Sequence, residues 1–290
     1  MACMALGLNA VPAQSQEIYF NHAFVDVSPA TFEAIKSSAF VMNELAGAES
    51  HSTVADGGKE SWSGLYVYGE RTYLEFFPAG GPDDPLGKLG IGLSIDDREQ
   101  LPQLAERTIA ATGVPVPLFT RTKAVGGAEV KWFDAISPDY PKDVSDLHSA
   151  WVMALYPDYL RQTNPDLAPA EAGTSREKAL ARRYIPRRLM RNVTSIALTL
   201  PEGERKRLLN QLRGSGYVVT RSGVNDIATG TDSRFILSPA LASQPRSVTF
   251  HLTLNRDAKP QSLTLGDSTL TINRGATVSW HFRAEGKAAQ

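Results

Sequence analysis

Residues 18–27 read IYFNHAFVDV, and residues 62–77 read WSGLYVYGERTYLEFF. Both stretches are rich in aromatic and β-branched residues that alternate with other side chains, which is typical of strands. After the first stretch, Ser28 is a candidate N-cap and Pro29 fits the first turn of a helix. With a further strand at 49–55 and a corner at Gly69, residues 18–77 predict the element order β-α-β-β-β.

The same order recurs along the chain. A second unit is predicted as a strand at 89–95, a helix at 97–112 and strands at 114–122, 128–136 and 150–156. A third begins with a strand at 193–200 and a helix to about Arg213, followed by strands near 216–221, 226–229 and 234–238. The remainder, to residue 282, reads as strands and hairpins. Repetition of one supersecondary unit predicts an α+β protein built from related modules.

Composition limits the function classes. The 290 residues allow two ordinary domains or one large domain. Lys and Arg number 30 against 31 Asp and Glu, so the chain has no overall field for nucleic acid or for an anionic membrane. We therefore expect a small-molecule partner. Cys3 is the single cysteine, which excludes an internal disulfide and a Cys-based zinc site, so any metal must be held by His and carboxylate.

Two segments lie outside the repeated units. Residues 1–17, MACMALGLNAVPAQSQE, read either as the remnant of a signal peptide or as a disordered tail. The first alternative implies a periplasmic or secreted protein, and the second leaves the cytoplasm open. Residues 157–191 form a basic, partly helical linker with arginines such as Arg176 and Arg183. This linker is either a patch that binds an anion or nucleic acid, or a solvated connecting helix that pairs with acids elsewhere, and the near-zero net charge favours the pairing.

The opening strand, Asn21-His22-Ala23-Phe24-Val25-Asp26-Val27, resembles that of the vicinal oxygen chelate superfamily, which includes glyoxalase I, extradiol dioxygenases and bleomycin-resistance proteins. Residues 64–69 and 72–77 resemble its third and fourth strands, and 18–95 also resembles an uncharacterised glyoxalase-like family of bacterial, often exported, proteins. The resemblance implies tandem βαβββ modules that form a glyoxalase-like open barrel over 18–156. A second, related and degenerate β-rich lobe would cover 192–283.

In that superfamily, inward His and Glu side chains of the first and fourth strands hold a divalent ion, here Zn, Fe, Mn or Ni, whose open positions accept substrate oxygens. Strand alternation places Phe20 and His22 on one face of the first strand, and Glu75 on a face of the fourth strand where family sites carry a carboxylate. The matching positions in the first and fourth strands of the second module hold no ligand, and His148, just before its last strand, is the best candidate from this half. The expected metal set is therefore His22, Glu75 and His148, with His51 in reserve.

Aromatic residues are dense in the first unit. Many are core residues, and the candidates for ligand contact are Tyr66, Tyr68, Tyr73 and Phe24. The sequence thus predicts a glyoxalase-like protein that binds a small oxygen-bearing or aromatic molecule, either as a metal-dependent lyase, isomerase or dioxygenase or as a non-catalytic protein that sequesters its ligand. It leaves open whether the protein is an enzyme and whether it forms a homodimer.

Overall fold

The structure, a computed structural model, describes residues 17–80, 85–141, 148–166, 175–240 and 246–284. The predicted signal-peptide remnant lies outside these residues apart from Glu17. Within the described ranges, no helix is long and apolar enough to cross a membrane.

Residues 19–155 form a barrel of eight strands with two helices outside it. Helix α1 (Pro29–Ser37) follows the first strand, and helix α2 (Leu101–Thr112) follows the fifth. The strands are β1 (Tyr19–Val27), β2 (Gly47–Ala55), β3 (Glu60–Tyr68), β4 (Tyr73–Pro78), β5 (Leu89–Ser94), β6 (Leu118–Val125), β7 (Ala128–Ile136) and β8 (His148–Leu155). They include two β-α-β-β-β runs, as the sequence patterns predict.

The ring order is β1-β4-β3-β2-β6-β7-β8-β5. The sequence analysis predicts an open barrel, but the barrel is closed. The closing seam is short, because β2 and β6 are joined through the single pair Ala55 and Lys123. Closure removes the two free strand edges that an open barrel would leave.

The rest of the chain forms a second eight-stranded sheet with one helix, α5 (Glu202–Gly214). Its order is β10-β11-β12-β9-β13-β16-β15-β14. The strands are β9 (Met190–Leu200), β10 (Val218–Ser222), β11 (Asn225–Thr229), β12 (Arg234–Pro239), β13 (Arg246–Leu254), β14 (Gln261–Leu265), β15 (Ser268–Ile272) and β16 (Thr277–Ala284).

Read from β2, the barrel order is β2-β3-β4-β1-β5-β8-β7-β6, and the second sheet has the same order with each number raised by eight. The second sheet differs in that its edge strands β10 and β14 do not pair in the described residues. No helix separates β13 from β14, in contrast to α2 between β5 and β6. As a result β13 runs antiparallel to β16, whereas β5 runs parallel to β8, because a parallel connection needs a crossover element.

The core lies between the outer face of the barrel and the second sheet. Leu74 and Phe76 of β4 are fully buried on that side. The ring centroid of Phe76 is 4.9 Å from that of Trp280 and 5.3 Å from that of Phe282, both on β16. Each large apolar side chain buried in this way contributes about 1.5–3 kcal/mol, so the contact holds barrel and sheet together.

The basic segment between barrel and sheet contains helices α3 (Pro157–Thr163) and α4 (Ser175–Leu180). Arg176 of α4 is only 2% exposed. Its Nη1 donates to the carbonyl oxygen of Phe20 at 2.7 Å and pairs with Asp232 at 2.5 Å, and its guanidinium lies 4.3 Å from the ring centroid of Tyr19. Other arginines of the segment also face carboxylates: Arg183 with Glu49, Arg182 with Asp166 and Arg191 with Glu70.

We expect Arg176→Ala to lower the free energy of unfolding by about 3–5 kcal/mol, because it leaves Asp232 without its buried partner and frees α4 from β1. Arg182→Ala is the matched control. Its ion pair with Asp166 is exposed, so its loss should cost about 0–1 kcal/mol. Urea unfolding of both variants measures the difference, and equal losses would contradict a structural role for Arg176.

Candidate functional site

The barrel encloses a cavity of about 630 Å³, here called the outer cavity. It reaches the surface near Ser61 and Phe119, which are exposed. Eight aromatic side chains line it: Phe24, Trp62, Tyr73, Phe77, Phe119, Trp132, Phe133 and Trp151. Polar and charged side chains also line it, namely His22, Asp26, Glu60, Ser61, Ser63, Glu75, Lys88 and Arg121. The volume is within the range of small-molecule sites, about 300–1,000 Å³.

A β-bulge in β1 decides which side chains face the outer cavity. The pairing of β1 with β5 passes from Phe20–Leu93 to His22–Gly92 and so skips Asn21. Phe20 therefore turns outward into the core, where its ring lies 6.3 Å from that of Phe235, while His22 lines the cavity. The prediction that Phe20 and His22 share a face is wrong, because the bulge inserts one residue between them.

The glycines of β5 provide the space that the rings of β1 occupy. A Cβ atom at Gly92 would lie 2.4 Å from the ring of His22, and one at Gly90 would lie 2.0 Å from the ring of Phe24. The glycines of β5 therefore leave space for the two rings, and this strand has no His or carboxylate side chain that could bind a metal ion.

A second bulge adds a tryptophan that the sequence analysis missed. The pairing of β6 with β7 passes from Arg121–Phe133 to Thr122–Lys131, so Trp132 is the extra residue. Both Trp132 and Phe133 line the outer cavity as a result. Alternation alone would place neighbouring residues on opposite faces of the strand. The two side chains can both line the cavity only because of the bulge.

Glu75 lies on β4 beside Phe24 of β1 and is buried in the cavity wall. Burial raises the pKa of its carboxyl to about 8, although a hydrogen bond with Tyr73 and the charge of Lys123 oppose the shift. At neutral pH the carboxyl is therefore mainly protonated and can donate a hydrogen bond.

His22 is the second polar group of the wall. Burial lowers the pKa of its imidazole to about 3, so the ring is neutral. Nδ1 lies 2.9 Å from Oδ1 of Asn21, which assigns the proton to Nδ1, and the ring stacks on Tyr73 with 4.6 Å between centroids.

Behind the outer cavity lies a smaller space of about 80 Å³, here called the inner chamber. The two spaces share Trp62, Tyr73, Glu75, Trp132 and Met153. Tyr159 of α3 and Leu180 of α4 line the inner chamber, so the basic segment closes this end of the barrel.

The predicted ligand-contact residues divide between the two spaces. Phe24 and Tyr73 line the outer cavity, while Tyr66 and Tyr68 line the inner chamber. The hydroxyl of Tyr66 accepts from Nε1 of Trp62 at 3.0 Å, and that of Tyr68 donates to Glu49 at 3.0 Å.

His51 and Lys123 also line the inner chamber. The ring of His51 stacks on Tyr66 with 4.0 Å between centroids, and Nζ of Lys123 lies 4.6 Å from the ring centroid of Trp132. Burial and the charge of Arg183 lower the pKa of Lys123, and the charges of Glu75 and Glu49 partly oppose this.

His148 is not brought to His22 and Glu75. Trp151 and Met153 of β8 face the barrel interior, so alternation turns His148 outward. Its Nδ1 lies 3.2 Å from Oε2 of Glu204 on α5, and both side chains are buried there. Among the described residues, no group of three or more His, Cys, Asp or Glu side chains is placed to hold a metal ion.

Similar structures have low sequence identity. A hypothetical protein from Staphylococcus aureus is 12% identical with a TM-score of 0.50, over 92% of this chain and 98% of that chain, so the overall fold recurs in a very different sequence. A xylose isomerase-like TIM barrel/4-hydroxyphenylpyruvate dioxygenase fusion protein is 11% identical with a TM-score of 0.44, over 82% of this chain and 35% of that chain.

A mutant of 4-hydroxymandelate synthase from Streptomyces coelicolor is 11% identical with a TM-score of 0.37, over 77% of this chain and 63% of that chain. This chain thus spans less than two thirds of the length of these two enzymes. No curated protein matches the chain in sequence. A family model matches residues 20–282, nearly the whole barrel and second sheet, and the chain therefore belongs to DUF5829, a family of unknown function.

Proposed function

We propose that the barrel binds a small aromatic molecule without the help of a metal ion. The observation that carries this proposal is the outer cavity, which has a volume of about 630 Å³ and is lined by eight aromatic side chains. Aromatic side chains offer large apolar surfaces and prefer stacked or edge-to-face contact with other rings. A planar ligand of one or two rings matches both the size and the lining.

The polar groups of the wall would orient such a ligand. Glu75 is mainly protonated at neutral pH and can donate to an oxygen or nitrogen of the ligand. A few polar groups among aromatic walls are typical of specific small-molecule sites. We infer a ligand that combines an aromatic body with a hydrogen-bond acceptor.

The metal-dependent alternative requires a donor set that the described residues do not provide. A catalytic divalent ion with open positions is held by about three protein ligands. His22 and Glu75 would supply two, but His148 lies outside the barrel and bonds to Glu204. The residues therefore do not fit a bound metal, and a non-catalytic binding protein of the bleomycin-resistance type agrees better with the site.

Intrinsic fluorescence tests the binding proposal. Trp62, Trp132 and Trp151 line the outer cavity, whereas Trp280 lies in the core. Titration with aromatic compounds should change the emission, and a ligand at about 100 times its Kd should raise the free energy of unfolding by about 2.7 kcal/mol. In the double variant Trp132→Phe and Trp151→Phe, the emission change should be much smaller while the thermal shift remains.

Binding should be the same with and without EDTA. His22→Ala should weaken it modestly, since Glu75 and the other aromatic side chains keep their contacts with the ligand. If the purified protein contains a stoichiometric divalent metal that both His22→Ala and Glu75→Ala remove, and if ligands bind only to the metal-loaded form, the metal-dependent alternative is correct instead.

The raised pKa of Glu75 predicts a pH dependence of stability. The folded state keeps the proton up to about pH 8, whereas the unfolded chain releases it near 4.5. The stabilising contribution is therefore fully present below about pH 4.5 and is lost as the pH rises through about 8. The loss is on the order of 5 kcal/mol, because each tenfold difference in proton affinity between the two states corresponds to about 1.4 kcal/mol. Glu75→Gln should remove this loss in urea unfolding measured from pH 5 to 9.

Glu49→Gln is the matched control. Burial raises the pKa of Glu49, but hydrogen bonds from Arg183 and Tyr68 outweigh it, so the net shift is downward. Its contribution to stability is present above the unfolded-state pKa and is lost at more acid pH, so this variant should not flatten the decline between pH 5 and 9. A wild type whose stability does not fall relative to Glu75→Gln in this range would show that Glu75 is ionised in the fold.

A further inference from the structure

We propose that the barrel selects aromatic ligands that carry a carboxylate, and that Lys123 in the inner chamber binds this carboxylate. The inference rests on the proposed function and specifies its ligand class. It starts from Lys123, the one cation that lines the inner chamber, among the described residues, without a carboxylate within ion-pair distance.

The inner chamber is lined by three cationic side chains, those of Lys123, Arg176 and Arg183. The two arginines are neutralised, since Arg183 pairs with Glu49 at 2.8 Å and Arg176 pairs with Asp232 at 2.5 Å. Lys123 instead lies over the face of Trp132. Within the described part of the chain, the side chain of Lys123 has no hydrogen bond and no carboxylate within ion-pair distance, although the more distant charges of Glu75 and Glu49 act on it.

Such an ammonium group is incompletely stabilised. A cation over an indole ring gains about 0.5–2 kcal/mol, which offsets only part of the cost of removing the charge from water. The nearby charge of Arg183 adds repulsion. A ligand anion at this point would supply the missing counter-charge, because charge-assisted hydrogen bonds in a partly dehydrated site are stronger than neutral ones.

The arrangement of the two spaces favours a ligand with an aromatic body and a small anionic end. The outer cavity of about 630 Å³ accepts rings, whereas the inner chamber of about 80 Å³ admits only a small group. Trp132 borders both spaces, so a ring in contact with its indole would direct a carboxylate toward Lys123 on the same wall.

Glu75 also borders both spaces and is the carboxyl that an anionic ligand would approach. Since its pKa is raised, it meets the ligand as a hydrogen-bond donor rather than as a second negative charge. Lys123 and Glu75 can thus contact the same carboxylate from different strands, β6 and β4.

The test compares matched acids and amides. Phenylacetate, 3-phenylpropionate and 2-naphthoate, each with its primary amide, are titrated into the full chain at fixed ionic strength and followed by calorimetry and tryptophan emission. We expect at least one acid to bind about 10- to 100-fold more tightly than its amide, the range for a hydrogen bond to a charged group.

Lys123→Met should remove this preference, because it weakens binding of the acid far more than binding of the amide. Lys131→Met is the control, since Lys131 lies on the neighbouring strand β7, is exposed and lines neither space. It should keep the preference for acids. Lys123→Arg, which preserves the charge, distinguishes loss of the anion contact from damage to the barrel if Lys123→Met proves unstable.

Each outcome decides a separate point. If amides bind as tightly as acids, or if Lys123→Met keeps the preference for acids, the inference about Lys123 is wrong while the proposed aromatic site stands. If none of the acids or amides binds, the aromatic site itself fails and the inference fails with it. A preference for acids that Lys123→Met abolishes and Lys131→Met retains supports both.

Discussion

Strands β1 and β4 are buried on both faces, and the rest of the molecule depends on this double burial. Phe76 packs outward on Trp280, while its neighbour Glu75 faces the cavity. A shift of one residue would exchange the two faces, so the contact with the second sheet fixes which side chains line the site. The second sheet contributes no residue to the outer cavity, yet its apolar face holds the cavity wall in register.

How far the sequence predicts the site depends on how regular each strand is. Strand β4 has no bulge, so simple alternation puts Tyr73 and Glu75 on one face, and both line the outer cavity. Alternation fails at Phe20 and misses Trp132, because each lies at a bulge that inserts one residue. A bulge is decided by how the partner strand packs, and the hydrophobic pattern of one strand does not contain that information.

The repeated β-α-β-β-β order predicts much of the architecture, but not how each sheet ends. Both sheets share one strand order, yet Ala55 and Lys123 join the edges of the first, while β10 and β14 remain apart in the described residues. Closure depends on a single residue pair at this seam, and the alternation pattern along one strand does not predict such a pair. Lys123 belongs to this pair and also lines the inner chamber. The strand pair that closes the barrel therefore also provides a positive charge in the chamber.

The first strand of the second module, β5, has glycine where the superfamily resemblance implies a metal ligand, and yet the barrel wall has no gap there. Opposite His22, the second module has Gly92, and the imidazole ring fills the space that a side chain there would need. Burial then keeps His22 neutral and Glu75 mainly protonated, so these two groups add little charge to the barrel. Lys123 and Arg183 line the inner chamber, while Glu60, Lys88 and Arg121 are among the charged groups of the outer cavity. An aromatic body in the outer cavity would contact its rings, and an anionic end in the inner chamber would meet cations, so both parts of such a ligand meet groups of matching polarity.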